Sequence, residues 1–200
     1  AAVGQDGALL LREGGHHGEA ALGKFLLKLP QGLLDELDWY ADYYSHAADY
    51  EHNGLPYQQR ETERYILAEP FRPGEDIYGT AGQRLTRLRH SPPFEKAHFL
   101  RQTGYLLDFQ ALLRGSIVPT HYFVYLRERP AAEHPGLMTL PAGNWLCMQS
   151  RILAEPFPGP ELKRYFRDQE TPRLVVANEY EDNFRSFRNC IYEVQIFQHS

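Results

Sequence analysis

LMTLPAGNWLCMQSRIL, residues 137 to 153, reads as two strands hinged at Pro141-Ala142-Gly143. In the second strand, period-two alternation places Trp145, Cys147, Gln149 and Arg151 on one side and Leu146, Met148, Ser150 and Ile152 on the other. Both sides are partly apolar, and a strand that is apolar on both sides is buried on both. The stretch therefore belongs to a sheet covered on each face, and the flanking sequence must supply the covers.

Downstream come a helix over GPELKRYFRDQE (159–170) with Pro160 in its first turn, a strand PRLVVANEY (172–180), a loop EDNFRSFRN, and a last strand CIYEVQIFQ (190–198). Upstream, the polar stretch 129–136 with two prolines is a linker. Before it, YQQRETERYILAEPF (57–71) is extended, with Tyr65, Ile66 and Leu67 as a buried centre. Asp76 is placed to cap a helix over 77–90 with Ile77, Leu85 and Leu88 on its apolar stripe. A strand TGYLLDF (103–109), a turn or short helix QALLRG, and a strand THYFVYLRE (120–128) follow. Each half runs strand, helix, strand, strand. Such a repeat predicts an α+β fold of two βαββ units whose sheets meet, with helices on one side and a cleft along the pseudo-twofold.

The first 32 residues are Gly-rich, and only EAALGKFLLKL (19–29) has helical character. His16-His17, set between glycines, reads as a flexible turn rather than a metal site. From Leu33 an amphipathic helix runs to about residue 50, with Leu37, Tyr40, Tyr44 and Ala47 on its apolar stripe, and EHNG (51–54) ends it. A helix of this kind docks on the main domain or pairs with a second subunit.

Composition narrows the function. A formal charge of -5 and a pI near 6.0 argue against this segment gripping nucleic acid, which needs clustered Lys and Arg. Cys147 and Cys190 lack zinc spacing and read as reduced core thiols, which suits the cytoplasm. No apolar run approaches a membrane span, and no secretory signal opens the chain; the start at Ala1 leads us to expect further sequence upstream. No GxSxG elbow, HExxH pair or phosphate-cradling loop is present. The 13 Tyr, 11 Phe and 2 Trp bring large flat surfaces with polar handles.

The ordered set RYILAEP, GYLLDF, YFVYL, LPAGNWLCM, LVVANEYED and IYEVQI resembles the GyrI-like effector-binding domain of MerR-family transcription regulators, above all its multidrug-binding members. The resemblance spans about residues 57–198, and the helix 33–50 resembles the linker through which those regulators dimerise. It implies two repeated βαββ (SHS2-type) units forming a trough for small aromatic or cationic ligands, with no cofactor and no metal. A glutamate after the VV strand that meets the ligand's charge falls on Glu181, and an aromatic early in the last strand on Tyr192. Pocket-lining positions fall near Ile152 and, more loosely, on Phe157. DNA binding is implied only through an N-terminal domain that residues 1–32 do not spell out, and homodimerisation is implied by the linker.

The residues themselves bear on that expectation. NEYED packs Glu179, Glu181 and Asp182 together, and alternation puts Ala177, Glu179 and Glu181 on one face, Asn178 and Tyr180 on the other. A carboxylate facing an aromatic trough must be protonated, paired or matched by a cation, which selects positive ligands. Tyr105, Phe123, Trp145, Tyr180 and Tyr192 lie on predicted strands, where rigid rings hold planar cations by stacking and cation–π contact. We expect Trp145 to face the trough with Leu146 and Met148 beneath the helices; Tyr78, in the first turn of its helix, either closes one end of the trough or is a plain surface tyrosine. Two alternatives stay open: a GyrI-like hydrolase with Glu181 and Tyr180 as a general-base pair, and a module that binds another protein through an exposed apolar patch.

Overall fold

The structure, a computed structural model, describes residues 54–77, 79–180 and 190–199, with Arg101 and Tyr180 described by their backbone alone. The expected helix over 33–50, Tyr78, and the loop bearing Glu181 lie outside the described residues. Eight antiparallel strands make up the α+β fold: β1 (Tyr57–Glu61), β2 (Arg64–Pro70), β3 (Phe99–Leu107), β4 (Pro119–Leu126), β5 (Leu137–Leu140), β6 (Gly143–Ser150), β7 (Val175–Tyr180) and β8 (Ile191–His199). They form one sheet in the order β1-β6-β8-β7-β3-β4-β2-β5. Helix α1 (Ala81–Arg89) joins β2 to β3, α2 (Phe109–Leu113) joins β3 to β4, and α3 (Gly159–Leu162) joins β6 to β7.

Local chemistry shifts several predicted boundaries. The helix expected from residue 77 begins at Ala81, because Asp76 does not cap it; the Glu75 carboxylate instead accepts the Thr80 N–H at 2.5 Å. Phe109, read as a strand end, opens α2, since Asp108 turns the chain and its Oδ1 accepts the Ala111 N–H at 2.6 Å. The helix over 159–170 contracts to α3 and a 3-10 turn at Lys163–Tyr165. Asp168 then gathers the Glu170 and Thr171 amides into a turn that no helix accommodates.

The sheet cannot be flat. Glu61 ends β1 and Arg64 begins β2, yet these strands stand first and seventh in the order. A flat sheet would separate them by about 29 Å at roughly 4.8 Å per strand, whereas three residue steps reach about 11 Å. The hinge Pro141-Ala142 sets the same condition on β5 and β6, eighth and second in the order. Both conditions are met by one continuous ladder: Tyr57 faces Cys147 and Glu61 faces Gly143, then Arg64 faces Leu140 and Leu67 faces Leu137, with the same register on either side of the bend. The two bent strands thus zip together and roll the sheet into a barrel-like curl.

The curl gives the sheet an inside and an outside. Outside, Leu146 and Met148 of β6 and Val194 and Ile196 of β8 pack with Leu112 of α2 and Leu162 of α3. Leu85 of α1 packs on Leu67, Val124 and Leu126. Inside lie Ile66, Leu106, Phe123, Trp145 and Val176, all at most 4% exposed. At the centre β3 and β7 approach so closely that a Cβ on Gly104 would stand 2.3 Å from the Ala177 carbonyl oxygen and 2.7 Å from Phe123 Cζ. Among the described residues, no helix is long and apolar enough to cross a membrane.

Candidate functional site

Alternation along the strands divides the predicted site residues between two walls. Tyr105 and Tyr192 point to the outer face, 3% and 0% exposed, with ring centroids 5.9 Å apart, and Ile152 and Phe157 are buried in the same cluster. Trp145 and Phe123 point inside, into the other cluster. The expectation that Trp145 shares a trough with Tyr192 is therefore corrected: β6 pairs Trp145 with Phe197 and Ser150 with Tyr192, so the two aromatics differ in parity. The backbone of Tyr180 pairs with Ile191 at the end of β7.

Residues at the centre of the outer face come from four strands and the segment after β2. Helix α1 packs over the β2 and β4 side, α2 and α3 over the β6 and β8 side, and the central strands β3 and β7 carry Thr103, Tyr105 and Glu179 between them. The Tyr105 ring lies 5.3 Å from that of Tyr122 and stacks on Phe71 at 6.2 Å. Glu179 faces Tyr192 across the β7–β8 ladder, and its Oε2 accepts the Thr103 hydroxyl at 2.8 Å. The Tyr192 hydroxyl is buried beside the Tyr105 phenol.

Burial first, and the charge of Glu179 next, push the Tyr105 and Tyr192 phenols far above their ordinary range, so both are neutral at physiological pH. An acid raised on folding contributes stability that is complete below its unfolded value and lost as pH rises above it. We expect stability to fall steeply once pH passes the ordinary phenol value of 10.0, with buried phenolates appearing only as circular dichroism reports unfolding. Complete tyrosine ionisation in a chain that keeps its native spectrum would contradict this burial.

The inner face carries a second polar group that the sequence reading did not single out. Arg64 Nη1 donates to Gln195 Oε1 at 2.9 Å and to the Tyr125 hydroxyl at 3.3 Å, and lies 3.9 Å from Glu61. Gln195 Nε2 donates to Glu61 at 3.1 Å and to Glu193, which also accepts the Tyr57 hydroxyl. Tyr125 in turn donates to Asn178 at 2.7 Å, and burial pushes its phenol up to about 12. A signal for this cluster was present in IYEVQIF: Glu193 and Gln195 recur at period two in a strand otherwise apolar on both faces.

Cys147 and Cys190 are both buried, and burial raises the Cys147 thiol, which makes it a poor nucleophile. Among the described residues, no group of three or more His, Cys, Asp or Glu is arranged to hold a metal ion. The Glu181 and Tyr180 pair considered as a general base lies outside what is described in side-chain detail. No family model matches the chain, and no curated protein matches it. The outer-face cluster brings together aromatic rings, an acceptor carboxylate and a buried phenol hydroxyl.

Proposed function

We propose that this chain is the ligand-sensing part of a MerR-type transcription regulator, built from two GyrI-like βαββ units and binding flat lipophilic cations on its outer face. The observation that carries the reading is Glu179 set beside the clustered rings of Tyr105, Tyr122, Tyr192 and Phe71 on one face of the sheet, with Phe71 stacked on Tyr105. Rings attract a delocalised cation by stacking and quadrupole, a nearby carboxylate matches its charge, and a neutral analogue forfeits that pairing. Support for the repeat comes from the strand order, which reads the same from both ends when β1–β4 exchange with β5–β8. Helices α1 and α3 then occupy equivalent connections. Glu181 lies outside the described residues, and Glu179, opposite Tyr192, is the carboxylate to which this reading gives the charge-matching role.

In this reading the ligand favours one arrangement of a homodimer through the segment 33–50, for which the sequence predicts a helix. A DNA-binding domain outside the aromatic domain responds in the cytoplasm. The ligand must differ in affinity between the two arrangements, since equal binding shifts nothing. Isothermal titration with tetraphenylphosphonium and neutral triphenylphosphine oxide tests it. We expect the cation to bind and Glu179→Gln to weaken it about tenfold, equivalent to about 1.4 kcal/mol, with little effect on the neutral compound. Equal binding of both compounds, indifferent to Glu179→Gln, would remove the charge-matching site.

A further inference from the structure

The segment between β2 and α1 is fastened far more heavily than an exposed connection requires. Arg84 of α1 donates from Nε to Glu69 at 2.6 Å, from Nη2 to the Pro70 carbonyl at 2.7 Å, and from Nη1 to the Thr80 hydroxyl at 2.7 Å. Its guanidinium also grips both carboxylate oxygens of Glu75 at 3.0 Å. Glu75 in turn accepts the backbone N–H groups of Arg72 at 2.9 Å and Thr80 at 2.5 Å. One carboxylate and one guanidinium thereby tie the start of the segment, its end, the edge of β2 and the body of α1 into a single unit. The fit is close: a Cβ on Gly79 would stand 2.3 Å from Glu75 Cγ, so the glycine leaves the space that this side chain fills.

The segment so held carries Phe71, stacked on Tyr105, and Ile77, packed against the cluster that contains Tyr105 and Tyr192. Phe71 has an anchor of its own, its N–H bonded to the Thr120 carbonyl at 2.9 Å. Ile77 lies between the two points where Glu75 grips the backbone, and those grips fix where it stands. We propose that Glu75 and Arg84 are positioning residues of the cation site, acting as a latch that holds Ile77 as one wall of it. The inference rests on the reading of the outer-face cluster as a ligand site. The Arg84 hydrogen bonds and those from the backbone hold the Glu75 carboxyl well below its usual range, so the latch stays closed at mildly acidic pH.

A wall held in place slows ligand escape more than it speeds entry, because it is part of what must open for release. The test is stopped-flow binding of tetraphenylphosphonium to the full chain, comparing wild type with Glu75→Gln and Arg84→Met. We expect each substitution to raise the dissociation rate about tenfold with a smaller change in association. Hydrogen exchange should quicken at the amides of Arg72 and Thr80 while the amides of β3 and β7 stay protected. In an Ile77→Ala background, Glu75→Gln should change dissociation less than about twofold, since a latch has no effect without the wall it holds. Equal acceleration with and without Ile77, or an unchanged dissociation rate in Glu75→Gln, overturns the latch and leaves the site standing. Failure of wild type to bind the cation overturns the site, and the latch with it.

Discussion

Trp145→Ala lowers the stability of the folded chain by about 3 to 5 kcal/mol, the cost of emptying a large aromatic site that cannot collapse. Trp145 is 0% exposed, its ring lies 5.1 Å from that of Phe197, and its Nε1 donates to the Pro141 carbonyl at 3.3 Å across the β5–β6 hinge. The Arg64 guanidinium sits over the same indole at 5.1 Å. Loss of the ring therefore removes packing inside the curl, a clasp on the hinge and a cation–π contact at once. For a domain of this size the melting temperature should fall by roughly 6 to 20 °C. Trp145→Phe keeps most of the apolar area and should cost markedly less. Chemical denaturation of the three proteins measures the difference, and a loss below about 1 kcal/mol for alanine would show that Trp145 does not occupy a filled core.

Arg64→Met should cost about 2 to 4 kcal/mol, somewhat under the range for a fully buried pair, because the arginine side chain keeps 18% of its exposure. Methionine replaces the stem without the charge. The Glu61 carboxylate, 15% exposed, then loses its nearest cation, and the Gln195 carbonyl and Tyr125 hydroxyl lose a charged donor. Arg64 spans the inside of the curl from β2 to β8 and β6, strands that a flat sheet would hold about 19 Å or more apart. It is thus a fastening between distant parts of the sheet as well as an ion partner. The double variant Arg64→Met/Glu61→Gln should recover part of the loss, since it removes the carboxylate left without its partner. Strict additivity of the two single effects would mean that Glu61 and Arg64 do not sense each other.

The two-sided burial of β6 was legible in LMTLPAGNWLCMQSRIL, because alternation sorts Trp145 and Cys147 from Leu146 and Met148 without reference to any partner. The strand set was legible for the same reason, and its errors sit where side chains compete for the backbone: Glu75 displacing Asp76 at α1, Asp108 opening α2, Asp168 ending the helix after α3. For the site, the sequence drew attention to Tyr105, Tyr192 and the acidic NEYED stretch, and the structure brings Tyr105, Tyr192 and Glu179 together on one face. It separated Trp145 and Phe123 from them, because a residue's parity becomes a side of the sheet only when the register to the next strand is set.

By itself, then, the sequence determined the extended segments, the hinge at Pro141-Ala142-Gly143, and the presence of aromatic and acidic residues on the central strands. Each of these follows from interactions within a few residues. Only the tertiary structure decided that β1–β2 and β5–β6 form one continuous ladder, and so which set of alternating side chains is inside. That ladder joins residues about eighty positions apart. A pairing over that distance depends on backbone hydrogen bonds that every sequence offers equally, selected by packing on both faces at once.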